Sequence, residues 1–181
     1  MPEGNLLTED ERTGEDQPPF EKVQRYIPGF RGYLRKDEMR DADRMLRMQL
    51  SQKISIARKN LDEAIAAVRE KGLMIETSQL ESALNSLKRM SSEIGYADTG
   101  YSWMASDSEI GEDDAERLYE YDAGLLDQMT LLLGVSSELS SAASDSDMAT
   151  LERDSGDIHT RLSFIEELFR KRISVMNRTV Y

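Results

Sequence analysis

From Asp37 onward the apolar residues fall into a regular beat. Met39, Ala42, Leu46, Leu50, Ile54, Ala57, Leu61, Ala64 and Val68 follow one another at steps of three and four, the spacing that lines one side of an α-helix. The pattern predicts a helix from Asp37 to the stop signal at Gly72, roughly 50 Å long at about 1.5 Å per residue. A second helix starts at Ser78, with Glu81 three residues on as in a capping box. It carries Leu80, Leu84, Leu87, Met90 and Ile94 before Gly95. A third opens on Glu112, Asp113 and Asp114, acids that suit the positive end of the helix dipole. It runs through Leu118, Asp122, Leu125, Met129, Leu132 and Leu139 and fades into the stretch SSAASDSD. The fourth carries Met148, Leu151, Ser155, Ile158, Leu162, Ile165, Phe169, Ile173 and Met176 at the same spacing. No segment alternates with the period of two that a half-buried strand shows.

These stripes predict an all-α fold: an elongated antiparallel helical bundle of about four helices with coiled-coil-like packing. Apolar repeats near 3.5 residues favour shallow crossing angles, and short links force antiparallel neighbours. The second helix has about 17 residues against about 31 to 35 for the others, which leaves one quadrant partly unfilled. The connection that follows, GYADTGYSWMASDSEIG over residues 95–111, is long for a bundle loop. Its rings, Tyr96, Tyr101 and Trp103, are expected to fold back along the first helix and complete the core there.

Ahead of the helices, residues 1–17 hold Glu3, Glu9, Asp10, Glu11, Glu15 and Asp16 against Arg12 alone. Such a segment cannot offset the entropy of ordering, so a disordered acidic tail is expected, with the bundle domain spanning residues 18–181. All four prolines, Pro2, Pro18, Pro19 and Pro28, precede residue 29, which frees the rest of the chain for long helices.

Composition narrows the function classes. At 181 residues the chain is one domain's worth, large enough to bury a core without disulfides or a structural metal. It has no cysteine, which removes disulfide frameworks, thiolate metal sites and cysteine nucleophiles together. The N-terminus has neither a basic nor an apolar signal region, and no apolar run approaches ~20 residues, so a cytoplasmic location is expected. A net charge of −12 and a pI near 4.6 repel phosphate backbones, so nucleic acid is not an expected partner.

In an up-down-up-down bundle, one end gathers the unusual residues. In the lead-in YIPGFRGYLRKDEMRDADRMLR, Pro28, Gly29 and Gly32 make a turn beside Tyr26, Phe30 and Tyr33,. Arg31, Arg35, Lys36, Arg40, Arg44 and Arg47 fall at the same end. So do Lys88, Arg89, Arg170, Lys171, Arg172 and Arg178, with Tyr119 and a run of acids from the third helix. One reading is an internal salt-bridge network that latches the 95–111 loop. The other is a recognition surface, since aromatics, Met and Arg are enriched at interface centres. Exposed rings favour the second and buried rings the first. Asp122 falls on the apolar stripe between Leu118 and Leu125, where an unpaired charge is costly, so a cationic partner from Arg35, Arg40 or Arg44 is expected to fix the helix register. Its removal in Asp122→Asn is expected to destabilise the fold.

The segments IPGFRGYLRKDEMRDADRMLR, YADTGYSWM and LYEYDAGLL together resemble an uncharacterised group of prokaryotic all-helical proteins with a G-[FY]-x-G-Y opening and a Y-x-x-x-G-Y loop. The resemblance covers about residues 26 to 175. It implies an all-helical fold and a shared pole, and brings no activity or cofactor with it.

Catalytic and metal chemistry is poorly served. The single histidine, His159, has Ser155 and Ser163 a turn to either side, but no oxyanion-hole elbow accompanies them. A di-metal carboxylate bundle needs two Glu-x-x-His motifs, and Gly156 occupies the position three before His159. No catalytic residue, metal or cofactor is therefore assigned. The sequence points to a non-enzymatic helical interaction or scaffold protein that presents its aromatic and basic pole to a protein partner or forms a homo-oligomer. One alternative is a small-molecule-binding protein or enzyme with a site under the 95–111 loop. Another is a peripheral membrane-surface binder acting through the basic end of the last helix, FRKRISVMNRTVY.

Overall fold

The computed structural model describes residues 17–73, 77–96 and 110–177. The chain forms five helices: α1 (Pro19–Tyr26), α2 (Lys36–Glu70), α3 (Ser78–Tyr96), α4 (Glu112–Asp145) and α5 (Met148–Met176). Among the described residues there is no strand. The expected acidic tail lies outside the described residues except for Gln17. So do residues 97–109, which hold Tyr101 and Trp103, and the C-terminal residues from Arg178.

The four long stripes face one continuous apolar interior. Leu46, Leu50, Ile54, Leu61, Leu80, Leu87, Leu118, Leu125, Leu132, Leu151 and Ile158 are all buried within it. Full burial of each such side chain contributes roughly 1.5–3 kcal/mol against conformational entropy, so the interior is what holds the helices side by side.

The order of the helices around the core adds to the sequence reading. α2 lies beside α3 and α4, and α5 lies beside α4 and α3. Pairs of residues in contact give the directions. Arg69 meets Glu81 and Asp122 meets Arg172, so α2/α3 and α4/α5 are antiparallel hairpins. Between hairpins the neighbours run parallel. Lys53 reaches Thr130, Asn60 reaches Ser136 and Ser140 reaches Glu63, so α2 and α4 rise together. His159 meets the Gln79 carbonyl and Arg89 meets Glu166, so α3 and α5 do likewise.

α1 is a fifth helix that the apolar periodicity of residues 37–176 does not include. Its signals are short but legible. Pro19 occupies the first helical position, where a missing N–H costs nothing, and Phe20, Val23 and Ile27 fall at steps of three and four. The helix packs against α4, burying Val23 and Ile27. Its Tyr26 hydroxyl donates to Asp127 Oδ1 at 2.6 Å. Lys53 of α2 sits 5.6 Å above the Tyr26 ring, so the C-terminal end of α1 reaches α2. Burial, then the Asp127 bond, raises the Tyr26 hydroxyl above its ordinary pKa.

Helix ends follow capping chemistry. At the end of α2, Gly72 adopts φ +62, Leu73 N–H donates to Val68 O at 3.0 Å and Gly72 N–H to Arg69 O at 3.2 Å, the paired bonds of a Schellman motif. The α4–α5 link repeats it with Ser146 in the left-handed position, φ +62, and with Asp147 N–H donating to Ala142 O at 2.9 Å. Asp147 then caps α5 by accepting from Thr150 N–H at 3.2 Å,. At the start of α3, Glu81 takes a bond from the Thr77 hydroxyl at 2.9 Å and pairs with Arg69 at 2.6 Å. Because Ser146 carries a side chain in a conformation that favours glycine, Ser146→Gly is expected to raise stability by about 0.5–1 kcal/mol in denaturant melts. An unchanged or lower midpoint would count against the strain at that link.

Candidate functional site

The lead-in to α2 is a built turn. Ile27 O accepts from Phe30 N–H at 3.1 Å across Pro28 and Gly29, with Gly29 at φ +85, the residue order of a type II turn. Gln24 Nε2 donates to Phe30 O at 3.1 Å, tying the turn to α1. Gly32, at φ +97, brings the backbone against α4, and Tyr33 N–H donates to the Tyr119 hydroxyl at 3.1 Å. Four rings then pack edge and face. Phe20 and Tyr119 are 5.1 Å apart, Phe30 and Tyr33 5.5 Å, and Tyr33 stacks on Tyr119 at 5.5 Å. Such contacts contribute about 0.5–1.5 kcal/mol each beyond the area they bury.

Beneath the rings lies a closed charged centre. Arg172 of α5, fully buried, points its Nε at Asp122 Oδ1 of α4, 2.7 Å away. Its Nη2 stands 2.8 Å from Asp43 Oδ1 of α2, a buried ion pair. The same nitrogen donates to the Tyr33 hydroxyl at 3.2 Å. Tyr33 in turn donates to Asp122 Oδ2, and Arg47 Nε donates to Asp43 Oδ2 at 2.8 Å. Two acids and two arginines therefore balance, and one guanidinium joins the lead-in turn, α2, α4 and α5.

Burial governs the protonation here. It pushes the Asp122 carboxyl up from the ordinary range, while Arg172 and the Tyr33 bond pull it down without cancelling the rise. Tyr33 is driven well above its ordinary value, first by burial and then by the Asp122 charge. The phenol thus stays protonated and serves as a donor to Asp122.

This geometry corrects one expectation and divides the candidate residues. The partner of Asp122 is Arg172, not Arg35, Arg40 or Arg44. α5 returns antiparallel along α4 and delivers residue 172 at the level of residue 122, whereas α2 turns Asp43 inward and leaves Arg35, Arg40 and Arg44 on its exposed side. The structure brings Phe30, Tyr33, Tyr119 and Asp122 together, while Tyr26 bonds Asp127 instead. Arg31 is exposed and lines a shallow cleft of about 280 Å³ with Gly29, Glu38, Asp41, Ala42 and Met45. Tyr96 is 77% exposed, and Tyr101 and Trp103 lie outside the described residues. Phe30 and Tyr33 are buried and belong to the core cluster.

Of the members of the centre, Asp43 is not singled out by the sequence reading, and Arg172 enters it only as one of the basic residues of the pole. Both nevertheless stand on the inward stripes. Met39, Asp43, Leu46 and Leu50 are spaced four, three and four, as are Ile165, Phe169, Arg172 and Met176. A charged residue at an inward step on each of three helices is the signal that identifies them together.

His159 Nε2 lies 3.0 Å from the Gln79 carbonyl, and the Ser155 hydroxyl donates to Leu151 O at 2.6 Å, so neither addresses the other. Among the described residues, no group of three or more acids and histidines is placed to hold a metal, and no helix is long and apolar enough to cross a membrane. No protein-family model, curated protein or solved structure matches the chain.

Proposed function

We propose that this chain is a non-enzymatic helical interaction protein, a scaffold that works through the outer faces of its long helices, with the aromatic and charged pole acting as the clamp that holds those faces in place. One observation carries the reading. Asp43, Asp122, Tyr33 and Arg172, the charged and phenolic groups at the centre of the pole, are 0 to 1% exposed and bind one another. Active sites place such groups in a cleft, next to room for a substrate.

Large apolar side chains meanwhile point outward from three helices. Met48 of α2 is 62% exposed, Leu131 of α4 49% and Phe164 of α5 46%, the residue types that partners cover. The coiled-coil-like character expected from the 3.5-residue stripes belongs to this proposal as well, since rods of that kind present long regular surfaces.

Chemical cross-linking in the native cells, followed by recovery of the tagged chain, tests the reading. Intermolecular links from outward lysines such as Lys59, Lys88 and Lys171 to another protein or to a second copy are expected. A chain recovered without any such link, whose melting temperature climbs by several degrees with a small molecule, would replace the scaffold by a ligand-binding protein.

A further inference from the structure

One stripe of α5 carries a pattern that the bundle itself does not require. Asp157, Arg161, Phe164, Leu168 and Lys171 follow at steps of four, three, four and three, so they share a face of the helix, and Glu167 stands beside them. Leu168 closes over Gly124 of α4, whose Cβ position would lie 3.3 Å from it, which places the stripe along the α4–α5 seam. Phe164 projects from its middle, 46% exposed. Because α4 runs antiparallel to α5, the Gly124–Leu168 contact puts Leu131, 49% exposed, within about one turn of the level of Phe164.

The charges along this stripe are ordered. Arg161 Nε pairs with Asp157 Oδ2 at 2.7 Å, and Lys171 Nζ with Glu167 Oε1 at 2.7 Å. The helix therefore presents acid, base, ring, acid, base. Reversed about Phe164, the sequence of charges becomes its own complement: Asp157 comes opposite Lys171, and Arg161 opposite Glu167. A parallel copy would instead set each charge against its like. The four charges also sum to zero on a chain of net charge −12, so at this face a second copy is not repelled as it is elsewhere on the surface.

We infer that the chain pairs with a second copy of itself through α5, antiparallel about a twofold axis at Phe164, with Leu131 of α4 on the flank of the contact. The inference rests on the proposed interaction role and names one surface and one partner for it. Phe164 and Leu131 supply the apolar contact, which is self-complementary as a twofold interface must be. The exposed ion pairs add little affinity and set orientation and register.

Light scattering across a concentration series, with helicity followed by circular dichroism, tests it. Wild type is expected to reach the mass of a dimer, and Phe164→Asp to keep its helicity while associating about tenfold or more weakly. Since the chain has no cysteine, Phe164→Cys introduces a single thiol. A twofold axis at residue 164 brings the two thiols together, so this variant is expected to form an interchain disulfide under mild oxidation. Lys59→Cys on α2 is expected to stay reduced. Wild type that is monomeric at every concentration overturns the inference. So does a dimer indifferent to Phe164→Asp, or one in which position 164 cross-links no faster than position 59. Each of these results leaves a scaffold with a different protein partner standing, and that reading fails only in the cross-linking experiment described above.

Discussion

Replacing Arg172 by Met is expected to cost about 3–5 kcal/mol at neutral pH, the range found when one partner of a buried ion pair is removed. For a chain of this size that lowers the melting temperature by roughly ten degrees or more. The guanidinium is the cation for both Asp122 and Asp43, each almost wholly buried, and Arg47 also pairs with Asp43. The loss is expected to depend on pH in a defined direction. Arg172 lowers the Asp122 carboxyl against the upward push of burial, so its removal lets that carboxyl rise further. A carboxyl raised in the folded state binds a proton there before it does in the unfolded chain. The stability gap between variant and wild type should therefore shrink as pH falls from neutrality toward the ordinary carboxylate value near 4. Melts of the two proteins at matched pH values check this. A gap that stays constant or widens on acidification would mean that Arg172 contributes packing and not charge.

Gly32→Ala is expected to have the second largest effect, about 2–4 kcal/mol. Gly32 combines φ +97 with a Cβ position only 2.5 Å from the Tyr119 hydroxyl, so backbone strain of about 1–3 kcal/mol is joined by a clash. Moving that hydroxyl breaks its bond from Tyr33 N–H and disturbs the stacked Tyr33 and Tyr119 rings. Gly29→Ala is the control. Gly29 has a similar φ of +85 but nothing within 4 Å of an added Cβ, so it should pay the strain alone. Chemical denaturation of both variants measures the difference, and equal losses would show that the approach to Tyr119 is not what makes position 32 special.

The stripes were legible because burial and helical period coincide: from Met39 to Val68 and from Met148 to Phe169, the residues read as inward are mostly those that the core holds. The stop at Gly72 was legible because a left-handed residue there admits few side chains. α1 was harder to see, since eight residues offer barely two turns of period and its stability comes from α4. The neighbour relations between hairpins were not legible at all, because nothing local distinguishes a ring in which α2 meets α4 from one in which it meets α5. The choice of partner for Asp122 erred for a different reason: α2 does lie beside α4, but the residue it turns inward at that level is Asp43. The need for a cation followed from its place on an apolar stripe, but its source followed from which helix returned to that level. The lead-in turn was visible in Pro28, Gly29 and Gly32, while the burial of Phe30 and Tyr33 depended on α1 and Tyr119 arriving beside them.

The charged centre joins residues far apart along the chain; Tyr33 and Arg172 are 139 positions from each other. The Asp122–Arg172 pair lies within the α4–α5 hairpin, but Asp43 and Tyr33 come from outside it, so the full centre assembles only when the two hairpins have met. Contacts of such long separation tend to be made late, so they act on the rate of falling apart more than on the rate of coming together. Substitutions at the pole are therefore expected to speed unfolding more than they slow folding, which a pair of refolding and unfolding time courses measures.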